Sequence, residues 1–265
     1  MKKLFAILMV LAMMFSIVAC AETTDKPNPS SSSTPSTPST PSSNPNNPPA
    51  STVMTHAEYM AAEADEAVKV ECYVQATQSW WDNKITIYAQ DKHFGGYFAY
   101  EASCTKEVAD KLVPGTKVII EGYKTFYKGM PEIASGATLT IVEDGDTYEA
   151  PASILTDKLG TQDLVKEAGV YAAFQGLTIA KIEYRNGEPG DDIYVDFTLN
   201  DKTYSFCVER YLTDPETDLY KMFVDEDLKV GDVVNVYGFV YWYDADEDGE
   251  SGDGINTHIT KITKG

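Results

Sequence analysis

Eleven residues of this chain recur. Leu112-Val113-Pro114-Gly115-Thr116-Lys117-Val118-Ile119-Ile120-Glu121-Gly122 reads against Leu228-Lys229-Val230-Gly231-Asp232-Val233-Val234-Asn235-Val236-Tyr237-Gly238 at a constant offset of 116. The leucine, both glycines and the alternating aliphatics match. A repeat at fixed spacing signals one structural unit used twice, and the flanks repeat as well. In the first copy the period-2 alternation predicts strands over Val68–Thr77, Lys84–Gln90 and Tyr97–Ala102, a short helix over Thr105–Leu112, then strands over Lys117–Phe126 and Ala137–Val142. The second copy predicts strands over Val170–Tyr184, Asp192–Leu199 and Lys202–Glu209, with Asn200-Asp201 as a tight turn. A helix over Asp214–Phe223 and strands over Val233–Tyr243 and Ile255–Ile262 complete it. Thr213-Asp214-Pro215-Glu216 has capping-box spacing with proline in the first turn, and Thr55-His56-Ala57-Glu58 opens another helix ahead of the first copy.

Three strands, a helix and two strands is the element order of the OB-fold, a five-stranded Greek-key barrel whose closure removes exposed edges. The expected fold class is all-β with short helices, built as two tandem OB-fold barrels. The first spans 53–147 and the second 148–265, joined by a short connection within Thr147–Leu159. The segments Tyr88-Ala89-Gln90-Asp91 and Gly95-Gly96-Tyr97-Phe98-Ala99-Tyr100 resemble the second hairpin of OB domains in exported bacterial proteins. Glu71-Cys72-Tyr73-Val74-Gln75-Ala76, Ser79-Trp80-Trp81, Lys111 to Lys117 and Gly238-Phe239-Val240-Tyr241-Trp242-Tyr243 make 55–264 similar to uncharacterised tandem-OB lipoproteins of low-GC Gram-positive bacteria. That resemblance implies a fold and a location, and no established activity.

Location is read from the first 52 residues. Lys2 and Lys3 precede an apolar stretch from Leu4 to Val18 that is short for a membrane span, which needs ~20 residues. Ile17-Val18-Ala19-Cys20 resembles the lipobox of bacterial lipoproteins, which implies removal of 1–19 and diacylation of the Cys20 thiol. Residues 20–52 then hold eight of the thirteen prolines among Ser, Thr and Asn. Such a segment has too little apolar surface to offset the entropy of ordering and is expected to act as a disordered tether. The expected placement is the extracytoplasmic face of a membrane, held by lipid.

Charge narrows the partners. The formal net charge is −20, and Arg185 and Arg210 are the chain's arginines. Phosphate-backbone binding draws its affinity from clustered Lys and Arg, so nucleic acid is disfavoured though a local groove stays open. No HExxH, G-x-S-x-G or phosphate-binding glycine loop occurs, and His56, His93 and His258 are dispersed. The expectation is a non-catalytic protein. Cys72, Cys104 and Cys207 remain beyond Cys20; an odd number cannot all pair within one chain. Alternation places Cys72 inside a barrel and leaves a Cys72–Cys104 bridge open.

Two local signals remain. Asp244-Ala245-Asp246-Glu247-Asp248-Gly249 carries alternating carboxylates that can converge on a hard cation. The twelfth position is Ile255 instead of glutamate, so this is no EF-hand. Asp244, Asp246, Asp248 and Asp253 are candidate ligands of weakly held calcium, with a solvated acidic hairpin tip as the plainer reading. Trp80 and Trp81 sit between the first two strands, beside the face by which OB domains take ligands. Tyr88, Phe98 and Tyr100 are expected to extend that face, although alternation alone leaves open whether Tyr97/Ala99 or Phe98/Tyr100 points inward. The expected function is a surface module recognising a glycan or a protein. Single-stranded nucleic-acid capture and a ligand-free envelope scaffold are the alternatives.

Overall fold

The computed structural model describes Ala50, residues 52–244 and residues 255–265, with backbone alone for 255 and 256. The repeat folds twice. In the first copy β1 (Ala67–Thr77), β2 (Lys84–Gln90) and β3 (Gly96–Ser103) form a meander, α2 (Lys106–Ala109) follows, and β4 (Lys117–Tyr127) returns to pair with β1. β5 (Met130–Ile133) and β6 (Thr138–Ile141) pair antiparallel with β4 and parallel with β3, which closes the barrel. In the second copy β8 (Tyr171–Tyr184), β9 (Ile193–Leu199), β10 (Lys202–Val208), β12 (Ile255–Lys264) and β11 (Val233–Val240) follow the same circuit, β11 closing on β8 and β10 running parallel to β12. α3 (Asp218–Val224) lies between β10 and β11. Each circuit has the strand order of an OB barrel.

The repeated residues explain the likeness. Leu112 and Leu228 are both buried, and Val118, Ile120, Val234 and Val236 line the two interiors. Gly115 and Gly231 have φ of +89° and +94°, a conformation that glycine adopts at little cost. Each lets the chain turn from the plugging leucine into the fourth strand of its barrel. Two-residue turns with both φ positive close the β1–β2 connection between Trp81 and Lys84 (Asp82, +48°; Asn83, +60°) and join β9 to β10 (Asn200, +51°; Asp201, +62°).

Several local expectations change. The closing strand of the first barrel is broken in two: β5, centred on Pro131 and Glu132, pairs with the far end of β4 and β6 with its start. A four-residue strand containing proline has no period to read. α2 is one turn long, because Leu112 leaves the helical path to enter the barrel. α3 begins at Asp218, with the Thr217 hydroxyl accepting from Tyr220 N at 3.3 Å. Thr213, the cap expected from spacing, is buried and donates from Oγ1 to Ile259 O at 2.9 Å, so its hydroxyl is committed to the barrel. The Thr55/Glu58 capping box does form, on α1 (His56–Ala61). A short strand β7 (Ser153–Ile154) pairs with Ala172 and Ala173, along the part of β8 that precedes its pairing with β9. Cys72, Cys104 and Cys207 are all free thiols; Cys72 lies inside the first barrel and forms no bridge with Cys104.

The connection between the barrels is tied down. Gln75 on β1 donates from Nε2 to Tyr148 O at 3.0 Å and accepts from Ala150 N at 2.7 Å. The described residues fall within one compact unit. The second barrel's core extends into Tyr88, Phe98 and Met130 of the first, so one apolar cluster serves both the second barrel and the junction.

Candidate functional site

β2 turns Ile85, Ile87 and Ala89 into its barrel and therefore Thr86, Tyr88 and Gln90 out of it. On β3, Tyr97 and Ala99 point inward and Phe98 and Tyr100 outward. The outward face is the one expected to meet a ligand, and most of it meets the second barrel instead. Tyr88 is fully buried, 4.7 Å between ring centroids from Phe239, and Phe98 packs edge-on against Tyr241 at 5.5 Å. Tyr88 and Phe98 are therefore corrected from ligand-facing to junction residues. Large aromatic rings on an OB face gain ~1.5–3 kcal/mol each when covered, and here the cover is supplied within the chain.

A polar chain runs through this apolar junction. Gln78 Nε2 donates to Tyr88 OH at 3.2 Å, and Tyr88 OH lies 2.6 Å from His258 Nδ1. Burial lowers the His258 pKa from 6.5 to about 3, so the ring is neutral at ordinary pH. A neutral imidazole carries one N–H, and the tautomer with that proton on Nε2 lets Nδ1 accept from Tyr88 OH. His258 also stacks on Tyr241 at 4.1 Å. Around the junction Gln90 Oε1 accepts from Tyr171 N at 3.0 Å, and Asp244 N donates to Lys128 O at 2.9 Å. Trp242 is buried with its indole against Gly129.

What remains open is a cleft of about 490 Å³ beside the junction. Trp80, Trp81 and Tyr100 line it from the first barrel; Arg210 and Tyr211 line it from the second. Trp81 is 69% exposed and Tyr211 53% exposed. Their backbones are not free to drift. Trp81 and Lys84 exchange both backbone hydrogen bonds across the Asp82-Asn83 turn, at 3.0 and 2.9 Å. Ser79 N donates to Tyr211 O at 2.8 Å, joining the two loops directly. Glu209 holds the Tyr211 turn from behind, its carboxylate accepting from Tyr211 N at 3.2 Å and Leu212 N at 2.8 Å; burial raises its pKa to about 7. Trp80 is half-buried, with Nε1 donating to Cys104 O at 3.1 Å, and forms a fixed wall.

The cleft's charges balance. Lys84 pairs with Glu101 at 2.9 Å, and Arg210 and Asp214 supply one further charge of each sign. Thr86, Gln78 and Ser79 add neutral polar groups. Arg210 and Tyr211 are absent from the expected site. The signal available for them was that Arg210 is one of two arginines and that Tyr211 follows the end of an amphipathic strand.

The calcium expectation divides. Asp244 is buried, and its backbone N donates to Lys128 O of the first barrel. Asp246, Asp248 and Asp253 lie outside the described residues, as does Cys20. No group of three or more His, Cys, Asp or Glu placed to hold a metal occurs among the described residues.

No protein-family model matches this chain, and no curated protein does. Among solved structures, the Ifi202 HINa domain in complex with 20bp dsDNA aligns at a TM-score of 0.36 and 12% identity, over 75% of this chain and 99% of that one. A murine DNA binding protein bound with ds DNA aligns at 0.34 and 14%, over 74% and 96%. A Replication Protein A heterotrimer bound to ssDNA aligns at 0.28 and 12%, over 66% of this chain and 44% of that one. At these scores and identities the likenesses bear on no ligand.

Proposed function

We propose that this chain is a non-catalytic binding module whose inter-barrel cleft stacks the flat faces of a glycan. The carrying observation is that Trp81 and Tyr211 present exposed rings into one cleft while the loops beneath them are joined by a backbone hydrogen bond. Leaving two large rings in water on a rigid frame gains nothing for folding. A sugar ring offers C–H faces to the rings and hydroxyls to Gln78, Ser79 and Thr86. Preorganised loops lower the entropy that binding must overcome. The balanced cleft suits a ligand without a dense run of charge.

Single-stranded nucleic acid is the second reading, on the observation that Arg210 packs 5.0 Å from the Tyr211 ring, as cations do on stacking platforms. The chain's charge of −20 weighs against it. Arrays of oligosaccharides and oligonucleotides separate the two, with binding to the latter expected to fall steeply with salt. Trp81→Ala is expected to weaken binding roughly 5- to 150-fold, from ~1–3 kcal/mol per stacked ring by analogy with bases, and to leave the melting temperature nearly unchanged. Wild-type affinity in Trp81→Ala sinks the cleft as the site.

The placement at a membrane rests on Cys20 and the run before it. A mature N-terminus at Cys20 carrying acyl chains is the expected mass; an unmodified terminus at another residue removes that part of the reading.

A further inference from the structure

The two arginines are treated differently by the fold. Arg185 Nη1 pairs with Asp192 Oδ2 at 2.9 Å. Arg210 makes no ion pair among the described residues, although its own backbone N donates to the other oxygen of Asp192 at 3.1 Å. Its guanidinium lies against Tyr211, in the wall of the cleft. The other charged groups of the cleft are already engaged. Glu101 accepts from Lys84 at 2.9 Å and from Ser135 Oγ at 3.2 Å, and Asp214 Oδ1 accepts from Glu216 N at 2.8 Å. Among the described residues Arg210 is in salt-bridge contact with no carboxylate, and it lines a cleft that also shows two exposed rings.

We propose that Arg210 selects a sugar bearing a carboxylate, a uronate residue, whose ring stacks on Trp81 or Tyr211 while its two oxygens meet the guanidinium. This rests on the glycan reading above and adds charge selectivity to it. A planar fork of donors matches a carboxylate bidentately, and a guanidinium packed on a ring is already ordered for the contact. One guanidinium satisfies one anionic group. Glu101, Asp214 and the nearby Glu209 and Asp192 oppose a continuous run of phosphates, which needs several unpaired cations in a row.

The test is calorimetry of the full-length protein with three probes: a sugar hexamer carrying a single uronate residue, the same hexamer with that carboxyl methyl-esterified, and an oligothymidylate. The acid is expected to bind about tenfold more tightly than the ester, the worth of one charge-assisted pair. Arg210→Gln should erase that difference, while Trp81→Ala weakens both sugars. Equal melting temperatures of Arg210→Gln and wild type confirm that folding is not the cause. Acid and ester binding alike, both lost in Trp81→Ala, overturns the uronate inference and leaves the glycan reading standing. Oligothymidylate binding more tightly than either sugar, or no binding of either hexamer, also overturns it; the oligosaccharide arrays then decide the glycan reading separately.

Discussion

Gly96→Ala is expected to cost about 3 kcal/mol, at the upper end of overpacking penalties, and to lower the melting temperature by roughly 6–12 °C for a folded region of this size. A methyl at Gly96 would sit 2.4 Å from both Ala168 O and Val170 N of the second barrel. Those are backbone atoms in the turn around Gly169, which itself approaches Tyr97 N. No rotamer change relieves such a contact, so one barrel must move off the other. That movement breaks the junction carrying Tyr88, Phe98 and Phe239. Gly176→Ala is the matched control: it has φ of +68° but open space around it, and should cost only ~1–2 kcal/mol from the left-handed backbone. Thermal melts of the two variants decide the matter. A Gly96→Ala protein that melts like wild type would mean the barrels do not meet backbone to backbone.

The second large effect is at Tyr88. Tyr88→Ala empties a fully buried site shared by both barrels and should destabilise by ~3–5 kcal/mol. Tyr88→Phe keeps the ring but leaves His258 Nδ1 without its donor, for ~1–3 kcal/mol. His258 also sets an acid limit. Its folded pKa of about 3 lies below the unfolded 6.5, so the unfolded chain takes up the proton first. The stability this neutral ring confers is full above pH 6.5 and is lost as pH falls toward 3. Glu209 and Glu132 act in the opposite sense. Burial raises their pKa values from 4.5 to about 7 and about 8, so their contributions grow as pH falls through those values toward 4.5. The histidine is therefore isolated as a difference: wild-type minus His258→Gln unfolding free energy should decline from pH 6.5 downward. A flat difference would show that His258 is protonated in the folded protein.

Much of the barrel was legible because its signals are local. Lys84–Gln90 is a strand in the sequence and in the fold, since Ile85, Ile87 and Ala89 alternate with polar or ambivalent neighbours. Asn200-Asp201 reads as a turn because those residue types tolerate positive φ. The leucine and first glycine of the repeat keep their roles in both copies. β5 was not legible, because Pro131 and Glu132 sit in a strand held by its neighbours rather than by its own pattern. The cap of α3 was misplaced for a related reason: the residues at Thr213 and Thr217 are identical, and only the contact with Ile259 O takes the first out of contention.

The candidate site shows the same division. Trp81 beside Asp82-Asn83 was visible as an exposed ring on a turn, and the structure leaves it exposed. Tyr88 and Phe98 carry the same chemistry one strand away and are buried. Alternation assigns a side chain to one face of its own sheet, and for β3, aromatic on both faces, it could not assign even that. It carries no information about what a second barrel brings to the outer face, because that contact joins residues some 140 to 170 positions apart. Two copies of one barrel, their turns and their acidity can be read along the chain. Which aromatic surface joins the copies and which stays open beside Arg210 and Tyr211 depends on how the barrels dock. Periodicity is a property of neighbours along the chain, whereas the docking of the barrels is set by backbone approach at Gly96 and Gly169 and by ring packing across the junction.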